Sequence, residues 1–165
     1  MTTKALAVHL KVADEVFIAT ALLHRENAGR ADFTIGEIVA RAQRENLFGT
    51  LRPGVRVHAS LQCVANRPPN PGRYRMLYAT GDRTRRLLRS GDEVHPQRTG
   101  KIWPEPEDVP PRYRELIEWA QRQYGKGTPS QTPWLAGILQ MRGLGKNLWR
   151  GEDPDEYVRK LRENW

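Results

Sequence analysis

At 165 residues and 18.9 kDa the chain has room for one modest domain and an appendage, and its 38% hydrophobic content supports a core without being rich. No apolar run approaches the roughly 20 residues needed to cross a bilayer, the opening MTTKALAVHLKVADE has no secretory pattern, and the lone Cys63 excludes an internal disulfide, so a soluble, cytoplasmic protein is expected. The net charge of +8 points to a polyanionic partner, and it is concentrated: between Arg41 and Trp103 stand thirteen bases, twelve of them Arg, against four acids.

In chain order, residues 12 to 27 read as a strongly apolar helix, with Val12, Val16, Phe17, Thr20 and Leu23 on one side and Ile18 and Leu22 widening the buried arc. Asn27, Ala28 and Gly29 are a C-cap signal. Thr34-Ile35-Gly36-Glu37 fits the capping box, in which hydroxyl and carboxylate satisfy free backbone donors reciprocally, and Ile35, Ile38, Val39 and Ala42 then repeat at helical spacing. After the connection 46 to 54, Pro53 opens a third helix that Pro68 and Pro69 stop. Val57, Leu61, Val64 and Ala65 are its expected buried stripe, which turns Arg56, Ala59, Gln62, Cys63 and Asn66 outward, suited to close approach to base edges.

Asn70, Pro71 and Gly72 make a turn, and Tyr74, Met76 and Tyr78 then alternate with Arg73, Arg75 and Leu77 as a strand. Gly81 and Asp82 supply the next turn, and Thr84 to Arg89 returns with Arg85, Arg86 and Arg89. Helix, capped helix, turn, helix and basic hairpin is the order of a winged helix-turn-helix domain, so the expected fold is α+β, a winged helix with a C-terminal helical tail. The expected DNA-binding residues are Arg52, Arg56, Gln62, Asn66, Arg67, Arg73, Arg75, Arg83, Arg85, Arg86 and Arg89, Arg being suited to bidentate phosphate and guanine contacts.

Beyond the hairpin, SGDEVHPQRTGKIWPEPEDVPP is proline-rich and irregular, with Ile102 and Trp103 as anchors back onto the domain. Pro110 and Pro111 introduce a helix whose buried stripe is Tyr113, Leu116, Ile117, Ala120 and Tyr124. This assigns residues 1–124 to a nucleic-acid-binding domain, residues 125–132 (GKGTPSQT) to a linker, and residues 133–165 to a partner-binding tail. Leu135, Ile138, Leu139, Leu148, Trp149, Tyr157, Val158, Leu161 and Trp165 cannot be buried within so short a segment, so the tail either folds back on the domain or wraps a partner protein.

The last stretch, Gly143-Leu144-Gly145-Lys146-Asn147-Leu148-Trp149-Arg150 through Asp153-Pro154-Asp155-Glu156-Tyr157-Val158-Arg159-Lys160-Leu161-Arg162 to Trp165, resembles the C-terminal toxin-binding tail of VapB-type antitoxins. Those tails show Gly-x-Gly-Lys, an apolar residue and Trp, an acidic step, then Tyr-Val-Arg-x-Leu-Arg and a terminal Trp. The likeness covers roughly 25 residues; the front of the chain looks like a winged helix, not the ribbon-helix-helix or swapped-hairpin domains that VapB proteins more often carry. The resemblance implies an antitoxin of a type II toxin-antitoxin pair, a DNA-binding autorepressor of its own operator whose tail wraps a PIN-domain ribonuclease toxin. It also implies that Arg142, Lys146 or Arg150 enters the toxin's carboxylate cluster in competition with its metal, while Leu135, Ile138, Leu139, Leu148, Trp149, Tyr157, Val158, Leu161 and Trp165 anchor the contact.

Catalytic constellations are missing from the sequence. His9, His24, His58 and His95 are scattered, His58 and Cys63 lack zinc-site spacing, and there is no Walker A loop, G-x-G-x-x-G or G-x-S-x-G. A non-enzyme without cofactor or metal is therefore expected. The alternatives are a stand-alone winged-helix regulator whose tail packs on itself or forms a homodimer, and a nuclease or DNA-modification subunit using Asp92 or Glu93 with Lys101.

Overall fold

Fifteen residues, Val12–Glu26, form α1, and the rest of the domain is built around it. The computed structural model describes residues 10–125, which lie in the first of two units into which the chain divides, Met1–Pro129 and Ser130–Trp165. Every α1 residue from Ala13 to His24 is buried, as expected for a helix that is apolar nearly all round. Its buried carboxylates sit at the first turn, where Asp14 and Glu15 meet the positive end of the helix dipole. Lys101 Nζ lies 2.8 Å from Asp14 Oδ1, and Arg52 Nε donates to Glu15 Oε2 at 2.8 Å. At the other end the Asn27 backbone N–H and side-chain amide both donate to the Leu23 carbonyl, at 2.9 and 3.0 Å.

The strand β1 (Phe33–Thr34) runs directly into α2 (Ile35–Glu45). The capping box forms as the sequence predicts: Glu37 N–H donates to Thr34 Oγ1 at 3.1 Å and Thr34 N–H donates to Glu37 Oε2 at 2.8 Å. With Arg30 paired to it at 2.6 Å, and Thr34 N–H donating too, the Glu37 carboxyl is held down at about 2. Ile38, Val39 and Ala42 face the core, and Asn46, left-handed at φ 52°, ends the helix.

The hairpin of β2 (Leu77–Ala79) and β3 (Thr84–Leu87) completes an antiparallel three-stranded sheet in the order β1-β3-β2, with Phe33 opposite Arg85 and Tyr78 opposite Arg86. The fold is thus α+β. β2 starts later than the expected strand at Tyr74, because residues 72–75 are held by another segment: Gly100 N–H donates to Arg73 O at 2.8 Å and Arg75 N–H to Lys101 O at 3.0 Å. That approach requires glycine, since a Cβ at position 100 would lie 2.5 Å from the Arg73 carbonyl oxygen.

The third helix departs most from expectation. α3 (Gly54–Val57) passes into a π-helical turn, His58–Gln62, closed by Cys63 N–H donating to His58 O at 3.0 Å, and the helix stops there instead of running on to Pro68. Val64 forms an isolated bridge with Leu77, and Ala65 N–H donates to Leu77 O at 2.7 Å, so this segment joins the sheet. Val64 and Ala65 of the expected stripe are buried, but up to Gln62 the phase differs. Val55, Ala59 and Cys63 are wholly buried, whereas Val57 and Leu61, expected in the core, are 43% and 40% exposed. The small residues at i, i+4 and i+8 are the ones the helix buries, and α1 and α2 pack against it.

The proline-rich arm packs back through Trp103, whose ring meets Phe17 edge-on with centroids 5.8 Å apart. A 3-10 turn at Pro111–Tyr113 leads into α4 (Arg114–Ala120), which buries Tyr113, Leu116, Ile117 and Ala120 as its spacing predicts. A last turn, Gln121–Gly125, leaves Tyr124 half-buried against the His24 ring.

Candidate nucleic-acid interface

The two arginines most deeply buried in the domain serve its backbone. In β3 the pleat turns Arg85 inward with Leu87 and leaves Thr84 and Arg86 on the other face. Arg85 is 1% exposed, and its guanidinium donates to the carbonyls of Ala59 (3.2 Å) and Ser60 (3.0 Å), and of Gly81 (2.9 Å), Asp82 (3.3 Å) and Thr84 (2.7 Å) in the hairpin turn. Burial, with Arg67 nearby, lowers its pKa to about 10, which leaves it charged at neutral pH. Arg98, 3% exposed, takes the next two carbonyls, Leu61 (2.7 Å) and Gln62 (2.6 Å), together with those of Arg67, Pro68, Gly72 and Tyr74.

The four carbonyls at the end of the third helix, residues 59 to 62, are therefore all capped by guanidinium groups. A helix end leaves such oxygens without intrahelical partners, and cations near it are favourable. Arg85 is accordingly withdrawn from the expected DNA-binding set, and part of the arginine excess belongs to the interior.

Asn66 is also withdrawn. Its amide donates to Ala79 O at 3.0 Å while its Oδ1 accepts from Ala79 N–H at 2.9 Å, so the side chain acts as one more rung of the sheet. Arg86 is gripped by Asp92 through two bonds of 2.6 and 2.8 Å and lies 4.3 Å from the Tyr78 ring centre. Arg52 is tied to Glu15 and stacks 3.6 Å over Phe48. Arg75 Nε donates to Gly100 O at 2.7 Å, and Arg67 reaches Gly81 O at 3.5 Å. Gln62 is half-buried with its Cβ against Gly72. Arg89 is exposed, over the Tyr124 ring at 5.4 Å, and Arg73 is exposed.

Of the four exposed arginines of the expected set, Arg56, Arg73, Arg83 and Arg89, Arg56 and Arg83 come together. One open groove is lined by Thr34, Ile35 and Gly36 at the start of α2, by Arg56 of α3 and by Arg83 of the hairpin turn. Ile35 N–H donates to Arg83 O at 2.9 Å, which ties the turn to the head of α2. Beside Arg56 the outer face of the third helix presents Pro53, Val57 and Leu61. The sequence pattern found the helix and hairpin but not this face, whose signal is the competing stripe Val55, Ala59, Cys63.

Asp92 is committed to Arg86 and to the Arg89 backbone N–H (2.7 Å), while Lys101 lies with Asp14 and Asp108, so these supposed nuclease residues have different partners. Among the described residues no three His, Cys, Asp or Glu side chains gather as metal ligands, and no helix is long and apolar enough to cross a membrane. The expected toxin-binding residues Leu135, Ile138, Leu139, Arg142, Lys146, Leu148, Trp149, Arg150, Tyr157, Val158, Leu161 and Trp165 lie outside the described residues. Compared with known proteins, the chain matches no family model, no curated protein and no solved structure.

Proposed function

We propose that residues 10–125 are a winged-helix domain that binds duplex DNA, and that the chain is an antitoxin-type autorepressor whose residues 133–165 hold a PIN-domain ribonuclease. The observation that carries the DNA reading is the shared groove: the helix after α2 and the hairpin turn offer Arg56 and Arg83 on one side of the molecule. The order α1-β1-α2-α3-β2-β3, with β1 paired to β3, supports it, because it is the order in which a winged helix lays its third helix and wing beside each other. The toxin-binding part rests on the tail motif, Gly143-Leu144-Gly145-Lys146 to Trp165.

Binding of the full chain to duplex DNA from upstream of its own gene, titrated from about 50 to 300 mM salt, tests the first part. Affinity should fall steeply with salt through counterion release; absence of binding at the lowest salt removes the DNA reading. Co-expression with the product of the adjacent gene tests the second. A complex should form with the full chain and be lost on deletion of residues 133–165, and failure of the full chain to form one removes the antitoxin reading.

A further inference from the structure

On the reading that this face enters DNA, we infer that Val57 and Leu61 recognise the C5-methyl groups of thymine in the major groove. Among the described residues the exposed large hydrophobic side chains are Phe48, Val57 and Leu61, and two of these three stand one turn apart on the third helix. Exposing both is a choice made by the packing, since Val55, Ala59 and Cys63 on the same helix are fully buried. Soluble surfaces carry isolated apolar residues without consequence, but this pair adjoins Arg56, which shares a groove with Arg83. An apolar pair flanked by cations fits a polyanion that has apolar points on it.

Duplex DNA has one such point in its major groove, the thymine methyl, which apolar side chains contact directly. The polar side chains around this helix are mostly turned away from a base edge, Gln62 being half-buried against Gly72. Ser60 Oγ turns back to the Val57 carbonyl at 3.3 Å, and the Asn66 amide, the group suited to adenine, is spent on Ala79. What the helix has left to offer a base edge is the methyl-bearing surface of Val57 and Leu61, with Arg56 placed for phosphate or guanine.

The test uses full-length protein and one bound duplex in two forms, with thymidine or with deoxyuridine at every such position, which removes methyl groups and leaves base pairing unchanged. Deoxyuridine should weaken binding about fourfold for each methyl contacted, and a Val57→Ser/Leu61→Ser variant with an unchanged thermal midpoint should bind both forms alike. Equal affinity of the natural protein for both duplexes, at the salt dependence expected of DNA binding, overturns this inference and leaves the DNA reading standing. No binding to either overturns the DNA reading itself. A variant that still discriminates, or a gain on replacing cytosine by 5-methylcytosine without any loss on deoxyuridine, also overturns it, as does a face whose double variant loses only a protein partner.

Discussion

Arg98 donates to the carbonyl oxygen of Gln62 at 2.6 Å, a contact that joins the proline-rich arm to the end of the third helix across 36 residues of chain. The same guanidinium reaches five further carbonyls, so its removal leaves a group of oxygens without their donor. Arg98→Met should cost about 4 kcal/mol of unfolding free energy, and Arg98→Lys, with three donors in place of five, about 2 kcal/mol. Denaturant midpoints measure both; a cost below about 1 kcal/mol for Arg98→Met would show that the arm does not hold the helix end.

Arg56 and Arg83 are set apart from Arg85 by position, and reversing each charge should separate them. Arg56→Glu and Arg83→Glu should each lower the slope of log affinity against log salt by about 1 while leaving the thermal midpoint in place. Arg85→Glu should instead unfold the domain, because a carboxylate would face the carbonyls of Ala59, Ser60 and Thr84. A folded Arg85→Glu protein with a reduced salt slope would return that residue to the surface.

His24 gives stability a pH dependence. Its Nε2 accepts from the Leu87 N–H at 3.3 Å, and its ring meets Phe33 and Tyr124. Burial first, then the charges of Arg89 and Arg86, lower its pKa from 6.5 to about 4 against the opposing Asp32. Between those values the unfolded chain binds a proton that the folded one refuses, so stability is complete above about pH 6.5 and falls as pH drops toward 4, by about 3 kcal/mol. The Glu37 carboxyl, lowered from 4.5 to about 2, begins to lose its contribution only as pH falls through 4.5, which leaves the upper part of the window to the imidazole. His24→Gln keeps an acceptor for Leu87 and should flatten stability from pH 6.5 to 4.5; an unchanged slope would assign the window to another group.

The pair Asp14 and Lys101 should behave as buried ion pairs do. Lys101→Met strands a carboxylate that is wholly inaccessible and should cost about 3 to 5 kcal/mol, whereas Asp14→Leu/Lys101→Met should recover most of that loss. A double-mutant cycle on unfolding free energies measures the coupling, and additive losses would show that Lys101 stabilises through other contacts, Asp108 among them.

The elements legible in the sequence were those decided within a few residues. The α1 pattern, the Thr34 capping box and the α4 stripe all depend on neighbours three or four positions away, and the structure has them where the spacing puts them. The third helix was not decided locally. Val57 and Leu61 outweigh Val55 and Ala59 in hydrophobicity, yet small side chains are the ones buried there, and the helix is stopped at Gln62 by guanidinium groups from positions 85 and 98. Nothing in the spacing of Arg98 ties it to residues 61, 62 and 72. Arg85 was readable in part: adjacent strand residues point to opposite faces, so Arg85 and Arg86 could not both face outward, and the apolar Leu87 marks the inner face. The groove of Arg56 and Arg83 joins two elements whose closeness only the tertiary structure supplies.

Cys63, the one thiol in the chain, is wholly buried where the third helix meets the sheet, and burial raises its pKa. Only the thiolate alkylates, so the native domain should ignore a sulfhydryl reagent until it opens at this junction. The rate of labelling then counts openings of the helix end directly, at a single atom and without any engineered probe, and it offers a clock against which the Arg98 and Lys101 variants can be ranked.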